Sequence, residues 1–404
     1  MLSYIGSMFL YHDTGWGIFN MDIINFQYLV EQAIKDRRYL HQYPELSGQE
    51  YETSQFIQKR LEQLAIKILD YNSPSVVAMI NGTKGTKTIA LRADIDALPI
   101  EEEGDKPYSS NKPGIAHMCG HDGHTAILLA VAEWITLNKE KIEPNIMLIF
   151  QSAEEITPSG ADALIQQGVL EGVDTIFGIH LWQGLEKGKI GLTHGAMMAS
   201  VDDFDIVIQG SGGHGSMPHE TIDPIYIASQ LMQAFQSIIS RSINPIEAGV
   251  ITIGTMQAGT TYNIIPDTAR LSGTIRALTP ETVKTIQTNM VSLTEGICQT
   301  FGAQGKIEFI LGTPPLINDP KQSRLIESIV CEKFGADVFK LVDPVMGGED
   351  FSYYVQHKPG AFIFVGMGGE KSQYPHHHPK FDIDEGVFPD AIRLFIEIIM
   401  HHHS

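Results

Sequence analysis

The stretch HMCGHDGHTAIL, residues 117–128, crowds a thiol, three imidazoles and a carboxylate into a few positions and then turns apolar. Such a set can ligate a metal through Cys119 and His121. It can also hold a nucleophilic thiol, with His180 or His377 as its base, or be no more than a polar loop leading into a helix. The choice depends on what else in the chain can meet it. ALRADIDALP carries Asp94 and Asp96 behind an apolar run, and IMLIFQSAEE ends in Glu154 and Glu155. TIFGIHLW delivers His180, and YPHHHPKFDIDE adds His376, His377 and His378. In open α/β sheets, ligands gather beyond the carboxyl ends of the strands, so these clusters are expected at one sheet edge. Thiolate, imidazole and carboxylate from several loops are the donor mixture of a transition-metal site, zinc-like or manganese-like. Asp122 is expected to cap the helix after the loop, whose positive N-terminal end also favours a thiolate nearby.

Each signal alone has a plainer reading. A lone Cys-x-His pair is more often packing than ligand, consecutive glutamates are usually a solvated pair, and three histidines can form a polar turn. A solvated pair, however, seldom follows directly on a seven-residue apolar strand. A cysteine hydrolase would leave Glu154 and Glu155 unexplained. GSGGHGS, after DFDIVIQ, suggests a phosphate cradle, but Pro218 and a polar stretch separate it from the next helix and no ribose-binding acid follows. The metal reading accounts for the most residues.

The elements that must position these groups follow from periodicity. NFQYLVEQAIKDRRYLHQYPE is helical up to Pro44, and SGQEYETSQFIQKRLEQL opens with Ser47 and Glu50 in capping-box spacing. SVVAMIN, KTIALRA, NIMLIFQ and DTIFGIHL read as strands that alternate with the helices GHTAILLAVAEWITL and SGADALIQQGVL. The fold class is therefore α/β, with a mostly parallel central sheet flanked by helices. From about residue 200 the texture changes to β-α-β-β-α-β, with Asp223 and Thr279 as helix caps, and returns to α/β after TPPLINDP. This predicts a catalytic domain in two parts, 21–197 and 313–400, with a compact domain inserted at 198–312. Segments near 193–200 and 308–316 are the candidate hinges.

The chain has 404 residues, 43% apolar and 19% charged, enough to bury substantial cores. A net charge of −20 argues against nucleic acid and anionic lipid as partners. Three well-separated cysteines fit a reducing compartment, so a cytoplasmic location is expected. Residues 1–20 lack a basic n-region and read as neither signal peptide nor anchor.

From about residue 35 onward the chain resembles the M20 family of metallopeptidases and amidohydrolases, in the branch of aminoacylases, hippurate hydrolases and auxin-conjugate hydrolases. RRYLHQYPELSGQE, LRADIDALPI, MCGHDGHTA, FQSAEE, GIHLW, GGHGSMPHETIDP, YNIIPDTARLSGTIR, GGEDFSYY and HHHPKFDIDE carry the resemblance. It implies two divalent ions per subunit, zinc or manganese with cobalt as a further option, and a lid domain through which two copies dimerise. Cys119, His121, Glu155 and His180 become ligands, Glu154 the general base, and Asp94 the group that orients an imidazole. The family's last ligand lies two residues before a proline, which selects His377. His214, Asn263 and Arg276 become substrate contacts, with His214 serving the partner subunit's site. Glu349 is given either a supporting or a structural role. Better-known members carry His-x-Asp where this chain has Arg92-Ala93-Asp94, and an acidic bridging ligand where it has Cys119. The implied reaction is metal-dependent hydrolysis of N-acyl amino acids. A carboxypeptidase or dipeptidase acting on short peptides is the alternative, and a metal-binding homologue without turnover is the third reading.

Overall fold

The computed structural model describes residues 23–402, apart from residue 73; the expectation for residues 1–20 lies outside them. The larger of its two main sheets has eight strands. From one edge to the other they are Lys67–Leu69, Val76–Ile80, Asn145–Gln151, Thr88–Asp94, Thr175–Glu186, Gly360–Gly368, Ile190–Leu192 and Phe339–Leu341. The middle four pair in parallel. Three of them, Thr88–Asp94, Asn145–Gln151 and Gly360–Gly368, are almost continuously buried, as is the first half of Thr175–Glu186, which is what a sheet covered by helices on both faces requires. The helices Ile23–Gln42, His121–Leu137 and Phe388–His401 pack against one another on this unit.

The second sheet has four antiparallel strands, ordered Gly249–Ala258, Thr268–Ala277, Asp202–Gln209 and Gln304–Leu311. The helices Pro224–Ser237 and Pro280–Thr300 pack on each other and on this sheet, giving the β-α-β-β-α-β order read from the sequence. Asp223 accepts from the backbone N–H groups of Ile225 and Tyr226, and Thr279 from that of Thr282, so both caps form as expected. The buried cores are separate. One draws on residues 26–198 and 316–399, the other only on residues 204–303.

Two expected caps do not form. The helix Tyr51–Gln63 begins behind Glu50 with no side-chain cap, and both members of the expected capping box point elsewhere. Ser47 donates to Asp96, and Glu50 accepts from the Ala153 N–H. The helix His121–Leu137 starts behind Gly120, which sits at φ 102°, a left-handed conformation glycine tolerates. Asp122 gives that helix no cap and pairs instead with Arg37 and His41. In each case a buried long-range partner outcompetes the local backbone.

Candidate metal centre

The parallel strands bring the polar clusters to one edge. Arg92 lies level with Gly178, and Asp94 with Gln151, so the strand ends carry Asp94, the Glu154–Glu155 turn and His180 together. The loop before the helix His121–Leu137 supplies Cys119 and His121. Gly123 lets that helix seat closely, since a Cβ there would stand 2.7 Å from Ile383 and 2.8 Å from Leu181. The histidine loop is tied in by a 2.8 Å hydrogen bond from the His377 N–H to the Met118 carbonyl.

Five three-donor groups lie here among the described residues, each with its ligand atoms within 4.8 Å of one another, and two of them contain Cys119: Cys119, His121 and His180, and Cys119, Glu155 and His377; a third, His121, Glu154 and Glu155, links these two. Cys119 Sγ lies 3.6 Å from His180 Nε2, and His377 Nε2 lies 3.3 Å from Glu155 Oε1. The His377 ring is about half exposed, with its donor nitrogen on the inner side. Backbone acceptors fix two tautomers. His121 Nδ1 faces the Asp96 carbonyl at 3.0 Å and its carboxylate at 3.1 Å, while His180 Nδ1 faces the Leu181 carbonyl at 3.0 Å. Acceptors of this kind hold a proton on each Nδ1 and leave both Nε2 atoms facing the cluster.

The neighbouring imidazoles are already committed. His124 accepts from the Leu181 N–H and donates to Asp94 at 2.6 Å; His376 donates to the Leu181 carbonyl; His378 accepts from the Lys380 N–H. Of the three consecutive histidines, His377 alone lies against Glu155. It adopts φ 66°, unusual for a residue with a side chain.

Glu154 and Glu155 follow Ala153, which is also left-handed at φ 54° and is held by the 2.7 Å bond from its N–H to Glu50. Glu154 Oε2 stands 4.0 Å from His121 Nε2. Burial, with the carboxylates of Glu349, Glu155 and Asp350 around it, pushes the Glu154 carboxyl well above the usual range. Burial and the carboxylates of Glu155, Glu154 and Asp94 push the Cys119 thiol up. Burial alone would lower the His121 imidazole, but Asp94, Asp96 and Glu155 raise it to about 10. Burial and the neighbouring imidazoles push His180 well down.

Charge alone therefore asks this pocket for a cation. His121 Nε2 and Glu155 Oε1 are buried without a hydrogen-bond partner, a costly condition for polar atoms that a metal would relieve. A soft sulfur, two inward imidazoles and a carboxylate suit a divalent transition metal.

Behind the cluster, Arg92 is wholly buried and pairs with Asp94 at 2.6 Å, Asp350 at 2.6 Å and Glu349 at 3.1 Å. Burial nonetheless leaves Glu349 at about 8 and Asp350 at about 6. Asp94 holds His124 and Arg92, while the carboxylate that meets the inward-facing His121 belongs to Asp96. In the sequence Asp96 marks only a strand end, and Ser47 and Glu50 have the spacing of a helix cap; the polar run PELSGQE is the signal that they serve the site.

The three expected substrate contacts stand on the smaller unit. His214 is exposed on a short strand pairing with Ile264–Ile265 and bonds Ser216. Asn263 is exposed beside it, where its carbonyl accepts from the Gly215 N–H. Arg276 is half-buried near Asp202 and Asp203. Among the described residues, none of the three has a hydrogen bond or ion pair with the donor cluster.

A parallel-centred α/β sheet with a polar donor cluster at its carboxyl edge defines a hydrolase-like metal site in class. The chain belongs to the peptidase family M20/M25/M40, which it matches over residues 90–401. It is 40% identical over 377 residues to an N-acetyl-L-cysteine deacetylase of Bacillus subtilis, covering 93% of this chain and 89% of that protein. It is 41% identical over 360 residues to thermostable carboxypeptidase 1 of Saccharolobus solfataricus, covering 88% and 91%. A solved Bacillus subtilis structure, described as a dinuclear metal binding peptidase from the M20 family, superposes with a TM-score of 0.81 at 35% identity, over 93% of this chain and 98% of that one. The protein is thus a metal-dependent amidohydrolase or peptidase of this family.

Proposed function

We propose that the protein hydrolyses the amide bond of N-acyl amino acids, with Glu154 as general base. The observation that carries this is the Glu154 carboxyl, set 4.0 Å from an orphaned imidazole nitrogen in a cluster of unsatisfied donors. Cys119, His121, Glu155, His180 and His377 would hold two divalent ions, and zinc, manganese or cobalt suits that set. Ions so held bring the pKa of water towards neutrality and polarise a carbonyl.

The chain's own groups do the rest. Glu154 takes the proton from attacking water and returns it to the departing amine, and its raised affinity for a proton suits both steps. Asp94, through His124 and Arg92, holds the floor beneath it. Arg276 offers a planar fork for the substrate's α-carboxylate, with Asn263 as a hydrogen-bonding companion and His214 as an oxyanion donor. The exposed position of His214, on a hairpin of the smaller unit, supports a homodimer in which it serves the partner's site. The two separate cores support a division into 21–197, 198–312 and 313–400. Three free cysteines support a cytoplasmic setting, and no helix among the described residues is long and apolar enough to cross a membrane. A cysteine nucleophile is disfavoured, because the Cys119 thiol is pushed up and the His180 imidazole beside it is pushed down.

The second reading is a metallo-carboxypeptidase or dipeptidase, favoured by the similarity to the thermostable carboxypeptidase. Chelator-stripped protein reloaded with zinc, manganese or cobalt should regain cleavage of N-acetyl and N-benzoyl amino acids. Cleavage of dipeptides alone would favour the second reading. No cleavage of either, with metal bound, would leave a homologue without turnover, against which the presence of Glu154 argues.

A further inference from the structure

Glu154 and Glu155 leave the strand Asn145–Gln151 through Ser152 and Ala153. Ala153 stands at φ 54°, where its Cβ crowds the backbone and disfavours the conformation by about 5- to 30-fold. Both of its backbone polar groups are pinned. The carbonyl accepts from the Gly160 N–H at 3.0 Å, and the N–H donates to Glu50 Oε1 at 2.7 Å. The residues beside it are fixed as well. The Ser75 hydroxyl takes the Ser152 N–H at 3.0 Å, and Gly160 sits so close that a Cβ there would lie 1.8 Å from the Ser152 carbonyl oxygen. Glu50 is fully buried and belongs to a distant part of the chain, directly before the helix Tyr51–Gln63.

We infer that Glu50 is a positioning residue for the reaction: its carboxyl oxygen holds Ala153 left-handed and so aims both glutamates into the donor cluster. The inference rests on the reading of Glu154 as base and Glu155 as ligand given above. With the N–H released, the peptide before Ala153 can turn over to an ordinary negative φ. That rotation carries Glu154 Oε2 away from His121 Nε2, now at 4.0 Å, and Glu155 Oε1 away from His377 Nε2, now at 3.3 Å. Burial and the neighbouring Asp96 carboxylate raise the Glu50 carboxyl to about 7, against backbone N–H bonds that lower it. The turn therefore asks for an oxygen at this place rather than a permanent charge, and a glutamine offers one.

Three variants separate this role from a general loss of stability. Glu50→Leu fills the same buried space without an acceptor. Its kcat on an N-acetyl amino acid should fall by about 5- to 30-fold, the penalty of the left-handed residue, with KM within about threefold of wild type. Zinc affinity of the chelator-stripped variant should weaken by a similar factor for one ion. Glu50→Gln should stay within about threefold of wild type in both. Adding Ala153→Gly to Glu50→Leu should recover most of the loss, because glycine adopts φ 54° without the Cβ penalty. An added glycine would not repair a protein that was merely destabilised. Crystal structures of the wild type and of Glu50→Leu read the geometry without any activity, and Ala153 should leave the left-handed region in the variant. Should Glu50→Leu fail to fold, Glu50→Asp, whose carboxylate falls one methylene short, is read in the same way. Ala153 still at positive φ with both glutamates in place, or no recovery on adding Ala153→Gly, overturns the inference. Wild-type protein that binds zinc yet cleaves neither N-acyl amino acids nor dipeptides overturns the functional reading instead, and the crystal structures and zinc affinities then still decide the place of Glu50.

Discussion

His121 and Asp122 are consecutive residues that face two different buried charge clusters. Asp122 belongs to a closed one: Arg37 pairs with it at 2.7 Å, with Asp382 at 2.7 Å and with Glu385 at 3.2 Å, while His41 bridges Asp122 at 2.8 Å and Glu102 at 3.1 Å. Tyr108 caps it, donating to Asp382 and lying under the Arg37 guanidinium. The resident cation holds the Asp122 carboxyl far below the usual range against the penalty of burial. His121 belongs to an open cluster, where carboxylates, thiol and imidazoles crowd together and two donor atoms lack partners. Burial and chemistry are alike in the two. The difference is that Arg37 meets the carboxylates of its network directly, whereas Arg92 stands behind the other cluster and leaves His121 Nε2 and Glu155 Oε1 without hydrogen-bond partners, which sets a braced network apart from a candidate ligand site more clearly than residue type does.

That contrast predicts opposite phenotypes. Glu154→Gln keeps the shape of the open cluster but cannot accept a proton. Turnover of an N-acyl amino acid should fall by about a thousandfold, within the range expected for positioned proton transfer. Metal content and melting temperature should stay near wild type. An unchanged kcat would remove Glu154 from its role. In the closed cluster, Arg37→Met leaves Asp122 buried beside fewer cations, and the expected loss is about 3 kcal/mol of stability. Urea midpoints of the metal-stripped protein would measure it. A midpoint shifted by less than a third of that would mean the network is not braced by Arg37.

Much of this division was hidden from the sequence, for a physical reason. The strands and helices around the site were legible because side-chain period and burial go together, as in NIMLIFQ and in the β-α-β-β-α-β order after residue 200. Three-residue strands such as Lys67–Leu69, Ile190–Leu192 and Phe339–Leu341 are too short to show a period. Donor types at strand ends pointed to the cluster, since strand ends must meet at a sheet edge. The polar residues behind it were misassigned because a chain read locally offers only local partners. Ser47, Glu50 and Asp122 all look like helix caps until the fold supplies Asp96, the Ala153 N–H and Arg37.

Arginines sharpen the comparison on a smaller scale. Arg37 and Arg92 each hold three carboxylates, whereas Arg276 has no carboxylate within ion-pair distance among the described residues, although Asp203 and Asp202 lie near it. A guanidinium without a close resident anion is free to take a substrate's. Arg276→Ala should raise KM for N-acetyl amino acids by about tenfold to thirtyfold, on the order of 1.5–2 kcal/mol for a charge-assisted pair. The matching decarboxylated amide should be cleaved equally by both proteins; an equal loss on that amide would dismiss the clamp.

The smallest effect belongs to the rim of the closed cluster. Burial would raise the Glu102 carboxyl, but the bond and charge of His41, the Ser110 N–H and Lys106 outweigh it and hold the group at about 2. A folded value below the unfolded one stabilises the protein wherever the carboxylate is ionised in both states. That contribution is complete above about pH 5 and drains away as the pH falls towards 2. Glu102→Gln should therefore be less stable than wild type near pH 6, by about 1 kcal/mol after solvent screening, and the gap should shrink to about half near pH 3 and close only as the pH falls below about 2. Equilibrium urea unfolding of the stripped proteins at both pH values would detect it. A gap that widens on acidification would mean that Glu102 binds its proton more tightly in the folded state, and that the closed cluster is short of cation after all.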